Sequence, residues 1–227
     1  MLYSFDFSAP LAYWPDLLAG AWTTLALSLA STLFGFLLGL FCALAKGGRS
    51  AGLARLAGAY IELIRNTPLL VQVFIVYFGL SSLGLQVGAF TAATVALVIN
   101  VGAYTSEIVR AGIESIPRGQ LEAAECMALT RWQTLRHVVL PPAIERVYPA
   151  LTSQYVLLML ASSICSQISA EELTAVANRI QSDTFRSVET YLLVAAAYLL
   201  MSLVMRAIFW AIAQLAFPRR RRLGTPL

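Results

Sequence analysis

The stretch "LLAGAWTTLALSLASTLFGFLLGLFCALA", Leu17 to Ala45, carries no charged residue from end to end. Crossing about 30 Å of hydrocarbon takes about 20 helical residues, so this run predicts a membrane-spanning helix. Outward from it the pattern repeats. No charge occurs between Asn66 and Ser106, a run long enough for two passes, and "GLSSLGLQVG" (Gly79 to Gly88) supplies the turn between them. Val147 to Ala170 gives a fourth span. Thr190 to Phe217 gives a fifth, interrupted by Arg206, whose guanidinium can snorkel to the interface. The expected architecture is an all-α membrane protein of about five transmembrane helices in one domain, 1–227, with spans near 17–45, 60–80, 88–112, 145–168 and 190–216.

Composition agrees with a bilayer. The chain is 59% hydrophobic and 12% charged, whereas soluble domains are about a quarter charged. Residues 1–16 have no basic region of the kind that opens a secretory signal, so the first span is expected to be retained. Basic residues gather after span one (Lys46, Arg49, Arg55), between spans three and four (Arg110, Arg118, Arg131, Arg136, Arg146) and at the tail (Arg219 to Arg222). By the positive-inside rule these regions are cytoplasmic, which puts the N-terminus outside and the C-terminus inside. The same arginines account for the net charge of +4, and nothing in their arrangement calls for a nucleic-acid partner.

Enzymatic chemistry finds no foothold. Cys42, Cys126 and Cys165 are dispersed and His137 is the one histidine, so neither a metal site nor a catalytic set is expected. "KGGRS" (Lys46 to Ser50) lacks the strand, spacing and Lys-Ser/Thr ending of a phosphate-binding loop.

One segment does not belong to the oily pattern. "QLEAAECMALTRWQTLRHVVLPP" (Gln120 to Pro142) is polar and lies in the long cytoplasmic connection, residues 115–142. Pro117 suits the first turn of a helix, Glu122 and Glu125 are expected near its dipole-favoured start, and Leu121, Ala124 and Ala128 recur at helical spacing. "TRWQ" (Thr130 to Gln133) has the form of a capping box, starting a second short helix with Trp132, Leu135 and Val139 on one face; Pro141 and Pro142 are expected to stop it.

"EAA" at 122–124 and "LP" at 140–141, with "IELIRNTPLLVQVFIVYFGL" (Ile61 to Leu80) and "NVGAYTSEIVRAGIESIPRGQLEAA" (Asn100 to Ala124), resemble the permeases of the ABC importer superfamily. The resemblance covers roughly residues 17–217 and is to the polar amino-acid branch: histidine, glutamine, arginine and opine permeases of the bacterial cytoplasmic membrane. It implies a type I importer permease fold with no cofactor of its own. It also implies an ATPase dimer carrying ATP-Mg, a second permease chain, identical or homologous, a periplasmic or extracellular substrate-binding protein, an amino-acid or opine substrate and surrounding lipid. The helix over 117–128 would be the ATPase dock, with Gly119, Leu121, Glu122, Ala123, Ala124, Ala128 and Trp132 as coupling residues, the apolar face of Leu121, Ala124 and Ala128 seated in a groove of the partner. Two departures stand out. The family's glycine six residues after its Glu is here Ala128, so the helix break is expected to rest on the Thr130 cap instead of a left-handed glycine. Val156 to Leu173 also lacks a charged residue that many relatives carry before the Ser pair.

Polar residues inside spans mark the expected substrate route: Asn100 foremost, with Tyr104, Gln154, Ser162 and Ser163. Asn100, Tyr104 and Glu107 share one helical face, and Glu107 and Arg110 are placed to form an intrahelical ion pair. "GFLLG" (Gly35 to Gly39) predicts close helix packing. The competing class is an ion-coupled secondary carrier, which would want buried carboxylates or broken helices in symmetric halves; an odd span number and no inverted repeat speak against it.

Overall fold

The computed structural model describes residues 4–48 and 50–217. Arg49 and the basic tail Arg219 to Arg222, both used in the charge pattern above, lie outside the described residues. The chain is helical: α1 (Ser8–Leu11), α2 (Trp14–Lys46), α3 (Ala51–Arg65), α4 (Leu69–Ser82), α5 (Ala89–Glu114), α6 (Arg118–Cys126), α7 (Arg131–Ile168), α8 (Leu173–Thr184) and α9 (Ser187–Ala216). Four of these, α2, α5, α7 and α9, are long and apolar enough to cross a membrane, and the bent pair α3/α4 brings the number to five if the two form one span.

The expected second span, 60–80, is therefore redrawn. α3 and α4 meet at an angle of 111°. Pro68 disfavours helical backbone at Thr67 and cannot donate a hydrogen bond of its own. At the break the Asn66 side chain donates to the Glu62 carbonyl (2.8 Å), which also accepts the Asn66 N–H, and the Thr67 hydroxyl donates to the Leu63 carbonyl (2.9 Å). At the far end, Gly84 at a φ of +79° turns the chain into α5, within the Gly/Ser stretch read as a turn.

The second correction concerns Pro141 and Pro142. They do not stop a helix; α7 runs through them from Arg131 to Ile168. Residues Thr134–Val139 form a π-helical segment, and its wider turns hold the carbonyls that the proline rings would strike in a regular α-helix. The polar connection is accordingly shorter as a loop than 115–142, and its last part already belongs to the helix of the fourth span.

Close packing sets the core. A Cβ on Gly35 would lie 2.1 Å from Val101 Cγ1, and one on Gly39 would lie 2.6 Å from Thr105 Cβ, so the two glycines let α2 press against α5. Leu27, Leu97, Val101 and Leu158 are buried in that core. Gly20 does the same for α8, whose Val176 Cγ2 would be 2.9 Å from an added Cβ. The carboxyl of Glu172, fully buried, caps α8 by accepting the Ala175 N–H at 2.9 Å and takes the Tyr198 hydroxyl of α9 at 2.6 Å. Burial pushes this carboxyl above its usual range, against the pull of those hydrogen bonds. Large apolar side chains such as Trp22, Leu33, Phe41 and Leu199 are exposed, as expected where the surrounding solvent is lipid.

Candidate functional site

The connection from α5 to α7 is a rigid, side-chain-braced loop. α5 closes at Ser115, and the Arg146 guanidinium of α7 donates to the Ser115 hydroxyl at 2.9 Å and to its carbonyl. Pro117 is the N-cap of α6, one position earlier than the first helical turn assigned to it. No acidic residue stands in that turn: Glu122 lies beyond it and Glu125 in the last turn, so neither gains from the dipole at the start of the helix.

α6 ends in a left-handed residue, an alanine where the resemblance has glycine. Ala128 has a φ of 56°, the Leu129 N–H bonds to the Ala124 carbonyl at 3.1 Å, and the Ala128 N–H bonds to the Glu125 carbonyl at 2.9 Å. This pair of bonds is the Schellman arrangement that glycine usually completes. Here alanine completes it, because the cap that follows leaves the chain little choice. The Thr130 hydroxyl accepts the Gln133 N–H at 3.3 Å while Gln133 Oε1 accepts the Thr130 N–H at 2.8 Å, a full capping box opening α7.

Burial divides the expected coupling residues into two groups. Ala124 is completely buried within the chain, and Leu121 packs against Ile116, Val139 and Ala143. They hold α6 to α5 and α7; Ala124 faces its own chain, whereas Leu121 is only partly buried. Gly119, Glu122, Ala123, Ala128 and Trp132 are exposed, joined by Met127, which the sequence pattern passed over; Met127 and Trp132 are each 64% exposed. A Cβ on Gly119 would meet nothing in this chain, so the glycine is not demanded by the fold itself.

The expected substrate-route residues are not gathered into one place. Asn100 is buried and donates through Nδ2 to Gln72 Oε1 at 2.9 Å. Gln72 Nε2 in turn lies 2.8 Å from the Ile64 carbonyl and 3.0 Å from the Thr67 carbonyl, at the α3/α4 bend. Tyr104 lies under the Arg65 guanidinium, 5.6 Å from its ring centroid. Ser162 and Ser163 donate back to the Met159 and Leu160 carbonyls, and Gln154 is half-buried on α7. Glu107 forms the intrahelical pair with Arg110 (2.8 Å), and also gathers Lys46 of α2 (2.9 Å) and Arg65 of α3 (3.6 Å). Gln72 and Glu172 were missed by the sequence pattern. Gln72 could have been found as the lone polar residue of Leu69 to Leu80; Glu172 reads as an ordinary loop carboxylate beside Glu171 and gave no such signal.

A buried carboxylate and a broken helix are the features named for an ion-coupled carrier. The bent pair α3/α4 has no counterpart among the described residues, however, so the symmetric halves are missing. Comparison with known proteins decides the matter. The family described as "Binding-protein-dependent transport system inner membrane component" matches residues 35–222. The nopaline transport system permease protein NocM of Agrobacterium fabrum is 36% identical over 220 residues, covering 90% of this chain and 91% of that protein. The glutamine transport system permease protein GlnP of Escherichia coli is 38% identical over 205 residues, covering 88% and 93%. Among solved structures, that of an amino acid ABC transporter with histidines is 38% identical with a TM-score of 0.88, covering 93% of this chain and 99% of that one. The inward-facing methionine transporter MetNI, at 22% identity and a TM-score of 0.72, shares the fold. With several long apolar helices and a braced loop between α5 and α7, this chain belongs to the binding-protein-dependent transport system inner membrane component family, the multi-pass permease subunits of ABC importers, in which ATP is hydrolysed on a separate subunit.

Proposed function

We propose that this chain is the permease of a bacterial inner-membrane importer for a polar amino acid or an opine. Two permease chains form the pathway, a periplasmic or extracellular binding protein delivers the substrate, and an ATPase dimer holding ATP-Mg sits on the cytoplasmic side. The relatives named for nopaline and glutamine support the substrate class. The arginine distribution supports an outside N-terminus and a cytoplasmic C-terminus.

The observation that carries the mechanism is the build of the α6 loop. A short helix whose inward residues Leu121 and Ala124 are packed, and whose two ends are closed by hydrogen-bonded caps, moves as one body with the feet of α5 and α7. Its outward residues, Gly119, Glu122, Ala123, Met127, Ala128 and Trp132, are the proposed dock. Motion of the ATPase dimer then shifts the permease between inward- and outward-facing states, because the dock is contacted differently in each. The substrate route is drawn along Asn100, Tyr104, Gln154, Ser162 and Ser163, of which Asn100 and Ser162 are buried and Tyr104, Gln154 and Ser163 partly buried.

The test is reconstitution. Proteoliposomes holding this permease and its copurified ATPase should take up substrate only with both ATP and the binding protein. Uptake driven by a sodium or proton gradient without ATP would establish the carrier instead.

A further inference from the structure

Arg206 is an exposed guanidinium well inside α9, and its depth can be read from its neighbours. The Tyr148 hydroxyl donates to the Phe209 carbonyl at 2.7 Å, and the adjacent Val147 packs so tightly on Gly112 that an added Cβ would lie 2.1 Å from its Cγ1. Phe209 of α9 and Gly112 of α5 are thus at one level. With the bent pair α3/α4 counted as one crossing, α5 and α9 are the third and fifth and run in the same direction. At 1.5 Å per residue, Arg206 lies about 4.5 Å back from Phe209, between Arg110 and Glu107, which lie about 3 and 7.5 Å back from Gly112. Arg206 therefore belongs to the charged belt of Lys46, Arg65, Glu107 and Arg110 that marks one membrane interface.

Within that belt Arg206 differs from the rest. Lys46, Arg65 and Arg110 all reach Glu107, at 2.9, 3.6 and 2.8 Å, whereas Arg206 has no acidic partner among the described residues. It lines a groove of about 310 Å³ between α7 and α9, together with Tyr148, Thr152, Ser153, Phe209 and Trp210. The Tyr148 and Thr152 hydroxyls are spent on the Phe209 and Pro149 carbonyls. The donors left to the groove are the Arg206 guanidinium, the Ser153 hydroxyl and the Trp210 indole N–H, and no carboxylate lines it. Above it, Leu199 and Leu203 share the helical face of Arg206 at i, i+4 and i+7 and are both exposed.

We infer that this groove binds an anionic phospholipid, its phosphate on Arg206 and its acyl chain along Leu203 and Leu199. An unpaired cation at interface depth needs an anion, and the one supplied there at high local concentration is a lipid phosphate. Guanidinium pairs with phosphate through charge-assisted hydrogen bonds, and a tryptophan at the same depth suits the headgroup boundary. The apolar stripe leading away from the cation matches a molecule with a charged head and an oily tail. A free inorganic anion would leave that stripe without a role.

Native mass spectrometry of the detergent-purified full-length chain, with whatever subunits copurify, tests this directly. The wild type should retain phosphatidylglycerol in preference to phosphatidylcholine, and millimolar inorganic phosphate should not displace it. Arg206→Gln should lower phosphatidylglycerol retention about tenfold, equivalent to roughly one charge-assisted hydrogen bond. Arg206→Lys should keep most of the binding, and Arg55→Gln, which alters an exposed cation on α3, should leave it unchanged. Equal retention by wild type and Arg206→Gln would overturn the inference, as would displacement by inorganic phosphate or cross-linking of Arg206→Cys to a second copy of the chain across the groove. Lipid retention in detergent is independent of transport, so failure here leaves the importer reading untouched.

Discussion

The Asn100 side-chain amide donates to that of Gln72 at 2.9 Å, tying the middle of α5 to the bend between α3 and α4. Through Gln72 the bond extends to the Ile64 and Thr67 carbonyls, which the Pro68 break leaves without helical partners. The amide pair thus supports the bent pair α3/α4, the one sharp break between apolar helices among the described residues. That is a structural role beside the substrate contact expected of an amide in an apolar span.

Removing either amide should orphan the other. Asn100→Leu and Gln72→Leu are each expected to cost about 1–3 kcal/mol, the penalty of a buried polar group left unpaired. The double variant should cost less than the sum by at least about 0.5 kcal/mol, since the second change removes an already orphaned group. Thermal unfolding of the four detergent-purified proteins measures this cycle; additive losses would show that the two side chains act separately.

Ala128 sits at a φ of 56°, where a Cβ is unfavourable. Ala128→Gly should relieve about 1–2 kcal/mol of that strain and return part of it through the freer unfolded chain, for a net gain of up to about 1 kcal/mol. Ala128→Val should lose stability instead. If the glycine variant melts lower than wild type and the valine variant does not, the left-handed turn is absent in solution.

Glu107 gathers cations from α2, α3 and α5, and its side chain is 17% exposed. Glu107→Gln should cost about 1–3 kcal/mol, below the range for a fully buried pair because Lys46 and Arg110 are about a third exposed. Lys46→Gln should cost less, since two cations still reach the carboxylate. Equal melting temperatures for these two variants would mean that Glu107 does not act as a hub.

Cys126 is exposed on α6, whereas Cys42 and Cys165 are buried. A membrane-impermeant maleimide should therefore label the wild type only after the cells are permeabilised. In a Cys126→Ser background, Gln86→Cys in the α4–α5 turn should be labelled from outside intact cells. The opposite pattern would invert the topology.

The long spans were legible because a run with few or no charges can do little else in water than find a membrane, as with Leu17 to Ala45, which has none, and Thr190 to Phe217, where Arg206 is the one charge. The bend at Asn66 to Pro68 was written in the sequence too, as an X-Pro step, but it lies inside a charge-free run that hydropathy reads as continuous. Pro141 and Pro142 misled in the other direction: a local rule says stop, and a π-helical segment overrode it. At the docking loop the capping box was fully predictable from Thr130 and Gln133. Which way Leu121 and Ala124 face was not, because an apolar residue on a short helix packs equally well on its own chain or on a partner, and only the tertiary contacts distinguish the two.

The most direct measurement of the central claim is substrate uptake, with ATPase stoichiometry, for Glu122→Lys. Glu122 is exposed on the outward side of α6, so the folded permease alone makes no demand on its charge. Across a docked interface, reversing that charge can cost on the order of 2–5 kcal/mol. The variant should insert in the membrane at normal levels, lose uptake, and either lower substrate-stimulated ATPase activity or release the ATPase. Gln133→Ala, which loosens the capping box by about 1 kcal/mol, should transport nearly as wild type. A Glu122→Lys permease with normal uptake and a full complement of ATPase would contradict the account, leaving α6 a surface helix without a coupling role.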